Sequence, residues 1–278
     1  MIFCKELDTE FATKDELFAA LVKDYDKIVA VKKAAIKESD GMPMRFINKE
    51  SVATKAFDFI KDGKHYPVIN TTNFLDSHGD VHLKKIWNKS IKEQNGKLFY
   101  VINHSLKIGD VVAYPENVKA FVKEIPWKDL GFDYEGTTEA LIYEVEFSED
   151  SNETAVKAVR KKRPVQNSVR MGYVKIEMCI DSNDKDMVSH KANYDKYFPE
   201  IANKESLGDG YFWAVSEAKI ITEGSMVLLG SNVATPMLMN KQEINQPSQD
   251  TGNEPPNSTP KRIEAAKVKS IINSLSEL

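Results

Sequence analysis

Two short extended words, Val101-Ile102-Asn103-His104-Ser105 and Gln166-Asn167-Ser168-Val169, each carry one side chain suited to hydrolytic chemistry, with His104 and Ser168 64 positions apart. A serine hydroxyl is a weak nucleophile at neutral pH until an imidazole within hydrogen-bond reach takes its proton. A fold that brings His104 to Ser168 therefore supplies the minimum for serine hydrolase chemistry. The amide after a nucleophile often helps hold the oxyanion, because a fixed donor reorganises little as charge develops; here that amide belongs to Val169. The imidazole needs an orienting group. Glu223, in Ile221-Thr222-Glu223-Gly224-Ser225, lies in an otherwise apolar strand-like segment, where a carboxylate requires a partner. Each residue also has a plainer reading: a satisfied core histidine for His104, and for Glu223 a solvent-facing carboxylate at a strand bend beside Gly224.

A second chemistry competes. In Asp76-Ser77-His78-Gly79-Asp80-Val81-His82, five of seven side chains are metal ligands or general bases, which suits a divalent-metal hydrolase using Asp76, His78, Asp80 and His82. The word lacks the helical His-x-x-x-His spacing of zinc proteases, and the same residues build loops that bond their own backbone. The basic run Arg160-Lys161-Lys162-Arg163 reads as a solvated helix end, with cations at the negative pole of the dipole. Tyr211-Phe212-Trp213 reads as core.

The elements that must position these groups follow from pattern. The chain has 278 residues, 41% hydrophobic and 29% charged, enough for one substantial core with appendages. A net charge of −4 gives no general attraction to nucleic acid. Cys4 and Cys179 stand far apart without a Cys-x-x-Cys word, so neither a disulfide framework nor a thiolate zinc site is indicated, and a reducing, cytoplasmic setting fits. Nowhere do about 18 apolar residues run together, so no membrane span is encoded.

Phe11, Leu17, Phe18, Leu21, Val22, Ile28, Val29 and Ala35 recur at helical spacing and predict a helix over 10–38. Asp62-Gly63 marks a turn. Beyond it strands are predicted over 66–72, 98–103, 110–114, 140–147, 165–179 and 211–229, with helices near 83–94, 152–162 and 187–205. Asp150, three residues before Glu153, reads as the cap of the middle helix. Such a run of strands suggests a barrel or sandwich. The resulting division is a helical extension over 1–60, a main domain over 61–240, a linker over 241–260 poor in apolar residues, and an amphipathic helix over 261–278 carrying Ile263, Val268, Ile271, Ile272 and Leu275.

In series, these words resemble the prohead, or procapsid, maturation serine proteases of tailed bacteriophages, a superfamily that includes the herpesvirus assemblins. The resemblance runs through Val68-Ile69-Asn70-Thr71, Asp76 with Gly79-Asp80, His104 with Ile108-Gly109-Asp110-Val111, and Gln166-Asn167-Ser168-Val169. It continues through Gly210-Tyr211-Phe212-Trp213-Ala214-Val215, Glu223-Gly224-Ser225 and Gly230-Ser231-Asn232, covering roughly 64–238. It implies an α+β fold, with a small closed antiparallel β-barrel wrapped by helices. It also implies a cofactor-free serine endopeptidase that cleaves scaffold and capsid precursors, and itself, in the assembling prohead inside the host cytoplasm. The implied partners are the phage scaffold and major capsid protein, with self-association and neither nucleic acid nor membrane. Ser168 carries over as nucleophile and His104 as general base. The third member varies in the family, so Glu223 is the first assignment and Asp110 the second. This chain departs from the family at Arg170, where glycine usually follows the nucleophile's neighbour; a side chain there would crowd the oxyanion site if the position needed positive φ. A barrel that has lost catalysis and serves capsid assembly is the other reading.

Overall fold

The computed structural model describes residues 1–37 and 57–238. Its spine is two long antiparallel strands, β9 (Gln166–Ile180) and β10 (Tyr211–Val227). Along the other edge of β10 two short strands pair in parallel, one after the other. β4 (Asp80–His82) aligns Asp80 with Trp213, and β5 (Phe99–Ile102) aligns Phe99 with Glu223. β6 (Val111–Ala113) extends this sheet from β5. A second sheet has the order β11 (Met237–Leu238), β3 (Tyr66–Thr71), β8 (Thr137–Val145), β7 (Val118–Pro126), antiparallel throughout. A small hairpin joins β1 (Ile2–Cys4) to β2 (Thr9–Phe11).

The α+β class holds, but the expected closed barrel does not form: the strands lie in separate open sheets. The reason is visible where closure would occur, between β9 and β3. The chain passing there is irregular. Asn167 N–H donates to Thr235 O at 3.1 Å and Val68 N–H to Pro236 O at 2.9 Å. Pro236 has no amide hydrogen with which to continue a ladder. The two sheets are thus linked through an irregular segment rather than a shared strand.

The single helix expected over 10–38 is also revised. After β2 come α1 (Lys14–Lys23) and α2 (Tyr25–Ala34), with the break at Asp24. Thr13 caps α1 by accepting from Glu16 N–H, and Asp24, a residue that competes poorly in helix interiors, closes α1 while its carbonyl accepts from Ile28 at 2.9 Å. α4 (Glu153–Arg160) is capped by Asn152, not Asp150; the Asn152 side chain accepts from Ala155 N–H. α3 (Asn88–Gln94) and α5 (Val188–Tyr197) are shorter than predicted, and β4 and β7 were not anticipated.

The main core lies between the faces of the two larger sheets and includes Ile69, Tyr100, Leu141, Tyr143, Val169, Trp213 and Val215. Leu17, Phe18, Leu21 and Ile28 from α1 and α2 belong to the same core, so the N-terminal helices are integral to the folded body. β10 is buried on both faces over Phe212–Val215, because Phe212 and Ala214 pack against Leu75, Tyr194 and Ile201 on its other side. None of the helices among the described residues is long and apolar enough to cross a membrane. The proposed linker and terminal helix, 241–278, lie outside the described residues.

Candidate active site

Three strands and a bulge bring the sequence-predicted residues to one place. Ser168 sits on β9 directly opposite Ser225 of β10, and Ser225 in turn pairs with Val101 of β5. Two residues past the end of β5 is His104. Its backbone amide donates to Ser225 Oγ at 2.9 Å, and its imidazole Nδ1 lies 2.8 Å from Glu223 Oε1. Asn103 and His104 are both left-handed, at φ 50° and 53°, which turns the chain sharply as it leaves the strand. With Nδ1 held by a carboxylate, the other ring nitrogen is left to exchange a proton with a hydroxyl.

Glu223 reaches this place because β10 bulges. Met171 pairs with Ile220 and Val169 with Gly224, so Ile221, Thr222 and Glu223 all face Arg170. Such a bulge re-aims side chains. Thr222 takes φ 70°, and Glu223 ends fully buried. The expectation of a solvent-facing glutamate at a strand bend is therefore met only in the bend. Asp110, the second choice for the orienting group, instead accepts the Ser105 hydroxyl.

The Val169 amide is aimed consistently with an oxyanion role. Backbone N–H groups alternate between the two edges of a strand. On β9, Asn167 N–H donates outward to Thr235 O, and Met171 N–H outward to Lys37 O at 3.1 Å. Val169, between them, shares their outward direction. That edge opens onto a small pocket lined by Ser168 and Val169 together with Lys37, Asp76, His78 and Ser231. Arg170 is extended and not at positive φ, so its side chain brings none of the crowding that a glycine-dependent conformation would impose.

The Asp76–His82 word does something else. Asp80 Oδ1 is ion-paired with Lys32 of α2 at 2.6 Å, and its Oδ2 accepts Tyr173 OH at 2.8 Å. His82 contacts Asn70 Nδ2 at 3.0 Å and Tyr173 OH at 3.3 Å. Asp76 Oδ1 accepts the amides of His78 and Asp80, both at 2.9 Å. These engagements occupy the would-be ligands within the protein, and among the described residues no group of three potential ligands is placed to hold a metal ion.

Burial pushes the Asp76 carboxyl up to about 7, with the charge of Asp80 adding to it. Burial opposes the Asp80 charge too, but Lys32 outweighs it and holds Asp80 below the ordinary range. His82, fully enclosed, is pushed down to about 4 by burial.

Sequence reading missed two supports. Asn167, before the nucleophile, accepts Tyr100 OH at 2.6 Å and donates to Thr235 O at 3.0 Å, pinning β9. Lys32 was unmarked in a helix full of lysines; its partner lies 48 residues away. No family model, no curated protein and no solved structure matches this chain.

Proposed function

We propose that this chain is a serine endopeptidase of the prohead-maturation kind, with Ser168 as nucleophile, His104 as general base and then acid, and Glu223 as the group that orients the imidazole. The observation that carries this reading is the buried 2.8 Å contact between His104, on the turn after β5, and Glu223 of β10, the strand paired with that of Ser168. A carboxylate buried in an apolar strand is costly unless a charge or donor answers it. Spending that cost on an imidazole beside a serine suits acyl transfer.

In this mechanism Ser168 Oγ attacks the scissile carbonyl as His104 takes its proton. The carbonyl oxygen becomes an oxyanion against the Val169 amide, and the protonated imidazole, steadied by Glu223, delivers the proton to the leaving amine. Water then attacks the acyl ester, with His104 again as base, and releases the acid and Ser168. The substrates proposed are scaffold and capsid precursors and the chain's own terminal segment, acted on within an assembling shell in the host cytoplasm. That biological setting rests on the resemblance in sequence.

The test is coexpression with the scaffold and capsid proteins, followed by gel and mass analysis of wild type, Ser168→Ala and His104→Ala. Cleavage in wild type, lost in both variants, is expected. Intact proteins in every sample, despite assembled shells, would overturn the reading.

A further inference from the structure

Ser225 is fully buried, on a strand that elsewhere fills such positions with Ala214, Val215 and Met226. A hydroxyl enclosed there is costly unless it is bonded. Its bonds run to the histidine's turn. Ser225 Oγ accepts the His104 amide at 2.9 Å, and its one hydrogen has Val101 O or Met226 O to reach, each at 3.3 Å. The turn it holds is an unusual one. Ser105 N–H closes it onto Ile102 O at 3.0 Å, with Asn103 and His104 both left-handed between them, the type I′ form. That form favours asparagine first and glycine second. This chain has Asn103 in the first place but His104 in the second, where a side chain is strained. With its amide fixed on Ser225, φ at His104 sets where the side chain leaves the turn. At 53° it leaves toward Glu223, whose Oε1 lies 2.8 Å from Nδ1.

We propose that Ser225 is a positioning residue for the reaction: its hydroxyl anchors the amide of His104, holds the strained turn, and so keeps the imidazole on Glu223. This rests on the serine hydrolase reading of the same site. The place of Ser225 in the sheet suits the task. It pairs with Ser168 on one side and with Val101 on the other, so one side chain ties the end of the histidine's strand to the strand that faces the nucleophile. Being enclosed, the hydroxyl does not meet substrate; it acts through His104 alone.

The experiment uses the full chain as wild type, Ser225→Cys and Ser225→Ala, the sulfur of cysteine being a weak acceptor in nearly the same shape. Labelling by a fluorophosphonate is followed against probe concentration, with the label located by peptide mass, and the His104 tautomer is read by nitrogen-15 NMR. In wild type the label should fall on Ser168, with the imidazole proton held on Nδ1. Ser225→Ala is expected to lower the maximal labelling rate on the order of 10²-fold, with the half-saturating probe concentration unchanged, and to replace the single tautomer by a mixture. Ser225→Cys should fall between the two. A serine that serves the fold alone would change the melting temperature and leave the tautomer and the labelling rate of folded chain as they are. That result overturns the proposal, as does a label found on Ser225. Where Ser225→Ala does not fold, Ser225→Cys decides: a wild-type rate and tautomer overturn the proposal, and a partial loss of both supports it. If wild-type Ser168 never labels, the hydrolase reading fails, and with it the positioning role.

Discussion

At the scale of single residues, the site depends on charges kept in places that disfavour them. Glu223→Gln keeps the shape and removes the charge, and the imidazolium then loses its counter-ion and its fixed tautomer. Cleavage should fall on the order of 10³–10⁴-fold with the fold retained, checked by rate and circular dichroism. Lys32→Met should be worse for stability than for chemistry. It leaves Asp80 charged in the interior, a loss of about 3–5 kcal/mol in denaturant unfolding, part of which returns when Asp80→Asn is added. The pH dependence of stability has two opposing contributions. His82, and likewise His65, is pushed down to about 4 by burial, so between about 4 and 6.5 the unfolded chain binds more protons and stability rises with pH. Asp76 is pushed up to about 7, so from about 4 to 7 the folded chain holds the extra proton and stability falls as pH rises. Asp76→Asn removes only the falling part. Its melting temperature should climb more steeply than wild type from pH 4 to 6.5, by the equivalent of up to about 1.4 kcal/mol per pH unit; parallel curves would rule this out. Ser168, His104 and Glu223 stood out in the sequence because serine, histidine and a carboxylate in an apolar strand are chemically conspicuous. Lys32 and Asn167 did not, because each gains its meaning from a partner distant in the chain.

At the scale of elements, the site is held by the bulge in β10 and by the fit of one sheet on the other. Gly224→Ala tests both. The added methyl would stand 2.8 Å from Tyr143 and 3.0 Å from Ile69, with both side chains enclosed and nowhere to retreat. A loss of about 1–3 kcal/mol is expected, and activity should fall by more than that loss explains, since Glu223 moves with its neighbour. Most strands were legible from alternation and β-branched content, and β3, β5, β8, β9 and β10 lie within a few residues of their predicted bounds. β4 was hidden because its three residues sit in a polar loop-like word and become a strand only by pairing with Trp213–Val215. The helix over 10–38 misled because its apolar period continues smoothly across Asp24, where local capping and not periodicity decides.

At the scale of the whole molecule, barrel closure was the part of the expectation that pattern could not decide. Strand count is compatible with a barrel or with open sheets, and the choice turned on an irregular segment ending at Pro236 that alternation does not describe. The N-terminal helices likewise look detachable in sequence, yet they donate Leu17, Phe18, Leu21 and Ile28 to the main core and Lys32 to Asp80. Removing residues 1–34 should therefore cost the cooperative thermal transition altogether; a truncated chain that melts sharply near the wild-type temperature would contradict this.

β10 has a bearing on when the site exists at all. It holds Glu223, it is the strand on which β4, β5 and β9 are all hung, and it is the last long strand to leave the ribosome. At roughly 5–20 residues per second, several seconds of translation separate Ser168 from the end of β10. Through that interval the serine and the histidine are both made but have nothing to align them. If the chain is the endopeptidase proposed, it is harmless to itself and to its neighbours on the polysome until β10 is made, and competence arrives as a single late event.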